Sequence, residues 1–138
     1  MAINALDLLL GGKLNTERPT KAVKIVRLST DEVEFVLTAT ALTMEDFKHL
    51  QETNTGKDGK IDDVGLNLDM VTRGIKEFDG RLNSNKEQIA EIKKTYNVSN
   101  MQKFVNMMFL PGEIAMLVME ITNISGFNED MVAEVKKG

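Results

Sequence analysis

The stretch from Leu110 to Phe127, LPGEIAMLVMEITNISGF, constrains this chain more than any other. Proline has no amide hydrogen and a fixed φ, so Pro111 suits the first position of a helix and is excluded from an interior. A helix therefore starts there. Glu113 falls in the first turn, where a carboxylate meets unpaired amides, and Gly126 follows the last apolar residue, where a left-handed cap wants no side chain. Between these ends Ile114, Leu117, Ile121 and Ile124 recur at helical spacing. Ala115, Met116, Val118 and Met119 are apolar as well, which leaves mainly Glu120, Thr122 and Asn123 to face water. Such a helix is either buried on all sides or keeps one side for a partner, and both readings stay open from sequence.

With 138 residues the chain has the length of one ordinary domain with a single core. It contains no cysteine, which excludes disulfides, thiolate metal sites and cysteine nucleophiles and fits a reducing cytoplasm. A net charge of -4 without any block of lysine and arginine argues against nucleic-acid and anionic-membrane partners. The opening MAINALDLLLGGKLN lacks the basic region and long apolar core of a signal peptide. Ile114 to Met119, the longest purely apolar run, is too short to span a bilayer, so a soluble protein is expected.

Taken in order, Asn4 can cap a short helical plug that Gly11-Gly12 ends, spanning residues 4–12. Leu6, Leu9 and Leu10 are expected to dock it on the domain, although an arm that docks on a neighbouring subunit has the same sequence signature. Pro19 interrupts a polar connection. KAVKIVRL, Lys21 to Leu28, is rich in β-branched residues, and VEFVLTATAL, Val33 to Leu42, alternates Val33, Phe35 and Leu37 against Glu34, Val36 and Thr38. With turn chemistry at Ser29 to Glu32, the two predict an antiparallel hairpin over about residues 21–42, which must lie on helices or gain a third strand. A capping-box pattern, Thr43 with Asp46, opens a helix over 43–52 with Met44, Phe47 and Leu50 as its stripe. Val64 to Phe78 fits strand and helix periods about equally, with a lean to helix in its second half. Ser84 with Glu87 predicts a cap for a helix over 85–96. Ser99 caps another over 99–109, where Met101, Phe104, Val105 and Met108 step i, i+3, i+4, i+7. The Pro111 helix, 111–125, and a last amphipathic one, 128–137, in which Phe127 staples onto Val132, complete a C-terminal three-helix stretch. The fold class expected is α+β, a mostly helical single domain over 1–138 with a small antiparallel sheet near the N-terminus.

Two features invite sharper chemistry. In TNTGKDGKIDD, Thr53 to Asp63, Asn54, Asp58, Gly59, Ile61 and Asp62 fall at calcium-loop positions 1, 5, 6, 8 and 9. Position 3 is Gly56 and position 12 is Gly65, so two important oxygen ligands are missing and a solvated loop is the expectation. His49, the only histidine, has no second histidine for a zinc site or a triad and reads as a surface residue. With no phosphate loop and no nucleophile elbow, neither an enzyme nor a cofactor is expected. Six of the nine methionines lie between Met101 and Met131, as core gap-fillers or as a surface that repacks against varied apolar partners.

The run FLPGEIAMLVMEITNISGF followed by NEDMVAEVKK resembles the C-terminal region of the XkdN-like phage tail assembly chaperones, and ALDLLLGG before KAVKIVRL resembles their front. The likeness covers the first and last thirds of the chain, and Gln51 to Asn83 is not matched by it. It implies a non-enzymatic role in the host bacterial cytoplasm: binding the tape measure protein and keeping it soluble until tube subunits polymerise around it, without remaining in the finished particle. Self-association, the tail tube protein as a further partner, and a longer frameshifted form of the chain are implied too. Lys136-Lys137-Gly138 is compatible with a slippery codon run, and lysines at a helix end are equally ordinary. The alternative is a structural tail or baseplate component. On the chaperone reading Met108, Leu110, Ile114, Leu117, Met119 and Ile121 are the candidate partner-binding residues, although a core and a groove position share one hydrophobic signature.

Overall fold

The computed structural model describes residues 4–12, 14 and 16–127. Its elements are helix α1 (Ala5–Gly11), strands β1 (Thr20–Lys24) and β2 (Val36–Thr40), and helices α2 (Met44–Thr53), α3 (Asp63–Gly74), α4 (Lys86–Thr95), α5 (Met101–Met108) and α6 (Pro111–Ile124). This is the mostly helical α+β arrangement expected. The last predicted helix, 128–137, and with it Val132, on which Phe127 was to staple, lie outside the described residues.

β1 and β2 pair antiparallel with Ala22 opposite Thr38. The first strand is shorter than its β-branched run suggests: after Lys24 the chain turns into a 3-10 turn, Val26–Leu28. Ser29 closes that turn, its hydroxyl donating to the Ile25 carbonyl and accepting from the Phe35 amide. Leu37 and Ala39 point into the core, and Val36 points out. Two strands alone are marginal in water. Here the hairpin lies on α6, and Ile75, just past α3, adds a single antiparallel bridge to Ala39.

Thr43 and Asp46 form the predicted capping box in both directions. Met44, expected on the buried stripe of α2, is 80% exposed because the first turn overhangs the core that Phe47 and Leu50 reach. The ambiguous segment is helical from its beginning. Asp62 caps α3 by accepting from the Gly65 amide at 3.0 Å, and the strand-like alternation of Leu66, Leu68 and Met70 is overridden by burial of Met70, Val71 and Gly74 along one helix face. The predicted Ser84–Glu87 capping box does not form. A 3-10 turn over Asn83–Asn85 leads into α4, and Asn85 instead turns its amide back to the Lys76 and Asp79 carbonyls. Asn97 breaks the chain with φ 54°, and Asn100, not Ser99, caps α5 by accepting from the Lys103 amide.

α3 is the centre of the packing, with α5 on one side and α6 on the other. Gly74 permits the second contact: a Cβ there would stand 2.7 Å from both Cδ1 and Cγ2 of Ile121. Leu50, Val71, Ile75, Val105, Leu117 and Ile121 fill the middle. Phe78, Phe104 and Phe109 close one end as mutually tilted rings, with centroids 5.8 to 6.5 Å apart.

The plug did not meet its expectation. Asn4 caps α1 and Gly12, with φ 65°, ends it, yet α1 buries none of its residues and Leu6, Leu9 and Leu10 all stand in solvent. The core behind it is already closed by β1 and β2 lying on α6, so the domain completes itself without the leucines of α1.

Candidate partner surface

Pro111 fixes the rotational register of α6, because the helix can begin nowhere earlier. Glu113 accepts the Leu110 amide at 2.8 Å, satisfying a donor that the first turn leaves free. From that register Ile114, Leu117, Val118, Ile121 and Ile124 face the core, and Leu117 and Ile121 have no exposed surface at all. The opposite side carries Gly112, Ala115, Met116 and Met119, again at i, i+3, i+4, i+7. Met116 is 52% and Met119 45% exposed, and Leu110 continues the strip at its N-terminal end. This is a second apolar face, directed at solvent.

Charges that would break the strip are drawn aside. Glu113 is held by Arg27, whose guanidinium donates at 2.8 to 3.2 Å and also reaches the Met108 carbonyl at 2.7 Å. Glu120 is paired with Lys21 of β1 at 2.6 Å. The Arg27 hydrogen bonds, with that of the Leu110 amide, hold the Glu113 carboxyl below its usual pKa, and Glu113 in turn raises that of Arg27. Glu113 therefore stays ionised and paired at neutral pH, and the strip keeps its apolar character.

Along the β1 side of α6 runs a groove of about 630 Å³, walled by Val23, Val26, Leu110 and Met116, with Lys24 and Arg27 at its rim. Val26 is 77% exposed there, the outcome of the 3-10 turn that replaces the end of the predicted strand. A smaller cleft of about 250 Å³ lies toward α3, between Leu68, Phe109 and Ile114.

The six residues named from sequence divide three ways. Leu110 and Met119 lie on the outer strip, Met108 and Ile114 are half-buried against the core, and Leu117 and Ile121 belong to the core and present nothing to a partner in this conformation. Gly112, Ala115 and Met116 share the outer strip and Val26 lines the groove, and none of the four was among the six. A signal for the first three was present: the β-branched and leucine positions of α6 fall on one face, and methionine, alanine and glycine on the other.

The calcium-like tract has other work. Asp58 accepts the Lys60 amide in a tight turn, Asn54 donates to Leu50 and to Asp69, and Asp62 caps α3. Gly65, at the position where a glutamate ligand would sit, leaves room for Asn54 Oδ1 and Asp62 Oδ2, each 2.6 Å from where a Cβ would stand. Among the described residues no group of three or more acidic, histidine or cysteine side chains is placed to hold a metal ion. His49 is exposed on α2 beside Thr53. Among the described residues no helix is long and apolar enough to cross a membrane.

The sequence profile of the family described as phage XkdN-like tail assembly chaperone protein matches residues 6–137. No curated protein sequence gives a match. Among solved structures, the crystal structure of the protein YqbN superposes with a TM-score of 0.62 at 14% identity, covering 92% of this chain and 100% of that one. At that identity the likeness is one of fold.

Proposed function

This chain belongs to the phage XkdN-like tail assembly chaperones, and from that membership we propose that it binds the tape measure protein through the outer face of α6 and keeps it soluble while the tail tube polymerises. The observation that supports this reading is the second apolar stripe, Gly112, Ala115, Met116 and Met119, left in solvent after α6 has already supplied Leu117 and Ile121 to the core. A tape measure helix exposes an apolar stripe of its own, and a shallow face of small residues between methionines accepts such a helix at several registers. The role is non-enzymatic, exercised in the host cell, and ends before the particle is complete. Several copies cover one tape, with the tail tube protein arriving as they leave, and a frameshift-extended form of the chain adds a further tape-binding segment.

Co-expression with the tape measure protein of the same locus, followed by affinity purification and light scattering, tests the reading. The expected result is a soluble complex holding several copies of this chain, lost when Met116→Glu and Met119→Glu are combined. An insoluble tape measure protein rescued only by an extended product, identified by mass spectrometry, would move the binding site out of this sequence. Stoichiometric recovery of the chain in purified tails would replace the chaperone reading with that of a structural component.

A further inference from the structure

We infer that α1 is an arm exchanged between copies: the Leu6, Leu9 and Leu10 stripe of one chain seats in the groove formed by Val26, Leu110 and Met116 of a second copy, whose own arm seats in the first. α1 is well terminated, with the Asp7 amide donating to Asn4 Oδ1 at 2.9 Å and Gly12 in the left-handed region at φ 65°. Its seven residues nonetheless fall well short of the roughly 12–15 that an isolated helix needs in water. A helix this short holds together by laying an apolar face on something. Leu6, Leu9 and Leu10 lie at i, i+3, i+4 and so form one stripe, with Leu10 87% exposed.

The receiving surface is the groove on the β1 side of α6. Its volume, about 630 Å³, lies within the roughly 300–1,000 Å³ of pockets that enclose organic ligands, and its walls are apolar. The charge at its rim suits the arm. Asp7 flanks the leucine stripe, and Lys24 at the rim is engaged by the exposed Glu34 at 3.3 Å, a solvent pair weak enough to be exchanged for Asp7.

Area decides for a second copy. At about 100 Å² per buried leucine, one arm and its groove bury roughly 600 Å² together, which is in the range of casual packing contacts. Two reciprocal arms reach about 1,200 Å², where specific dimers begin, and the arrangement is a closed two-fold one. Within one chain both surfaces remain in solvent together, so the arm does not satisfy its own groove. The exchange does not depend on what the outer face of α6 binds, although Met116 borders both surfaces.

The chain has no cysteine, so engineered cross-links are clean. Leu10→Cys and Val26→Cys are placed in two differently tagged copies, mixed and oxidised without any tape measure protein, alongside light scattering of the parent chain. A dimeric mass, a disulfide joining the two tags, and a halved mass in Leu9→Glu and in Val26→Glu with unchanged circular dichroism are expected. A mass of one chain overturns the exchange, as does a disulfide that forms only when both cysteines share one polypeptide, or a dimer indifferent to both glutamates. None of these results touches the tape measure assay.

Discussion

Arg27 and Glu113, 86 positions apart, are joined by three hydrogen bonds between guanidinium and carboxylate, the shortest 2.8 Å, and they fasten the turn after β1 to the first turn of α6. The same guanidinium caps the Met108 carbonyl at the end of α5. One side chain thus ties the end of α5 and the first turn of α6 to the turn after β1, beside the groove between Val26 and Leu110.

Replacing Arg27 by methionine keeps the aliphatic stem and removes the fork, so a lower Tm is expected with helix content retained. The pH dependence has a definite sign. The folded Glu113 carboxyl has its pKa lowered by Arg27, so the stability it contributes is present above the unfolded value, about 4, and is lost as pH falls through the folded value. The Tm gap between parent and Arg27→Met should therefore be constant near neutrality and narrow in acid. A gap that persists unchanged in acid would mean that packing of the arginine stem dominates.

Asp46 has the same sign for a different set of causes. Burial pushes its pKa up, but the Thr43 amide and the Arg81 guanidinium outweigh this and hold it below the usual carboxylate range. Arg73 also contacts it, at 3.3 Å. Asp46→Asn keeps the size and one acceptor but takes the counter-charge from Arg73, while Arg81 keeps its pair with Asp79 at 3.0 Å, with an expected loss of about 1–3 kcal/mol at pH 7 in urea unfolding. That difference should shrink below about pH 4, as the parent Asp46 protonates on its way through the lowered pKa.

Gly74→Ala sets two effects against each other. A helical alanine in place of glycine gains up to about 1 kcal/mol, whereas overpacking a core position loses about 1–3 kcal/mol. Because the added Cβ meets the rigid Cγ2 of Ile121 as well as its movable Cδ1, each at 2.7 Å, overpacking should win and lower the urea midpoint. Ile121→Ala alone should lose about 2–5 kcal/mol. The double variant should lose less than the sum of the two, since the methyl added in Gly74→Ala then fills part of the space left by Ile121.

On α6 the two faces should separate cleanly. Leu117→Ala is expected to lose about 2–5 kcal/mol, and Met119→Glu, which lies outside the groove, to stay within about 0.5 kcal/mol of the parent. Equal destabilisation of both classes in thermal unfolding would show that the methionine face is covered within the folded chain.

Much of the local architecture is written in short-range chemistry. Pro111 and Gly126 bound α6, the alternation around Leu37 marks β2, and Thr43 with Asp46 opens α2, because each of these acts on its own few residues. The misreadings fall where two local solutions compete. Ser84 and Asn85 could each end the loop before α4, and Asn85 prevailed because the Lys76 and Asp79 carbonyls lie within its reach. Val64 to Met70 carries strand and helix periods at once, and the Asp62 cap together with the α6 surface selected the helix.

The sequence by itself determined the family, the class of fold and the ends of most helices, since proline, glycine and capping side chains act through fixed φ values and neighbouring amides. Only the tertiary structure decided which apolar face of α6 is core and which is free, why Gly74 must lack a side chain, and that the leucines of α1 remain uncovered. Periodicity records that a position is apolar, and burial depends on whether another element arrives to cover it. That second fact is set by contacts such as Gly74 with Ile121 and Arg27 with Glu113, whose partners lie tens of residues apart.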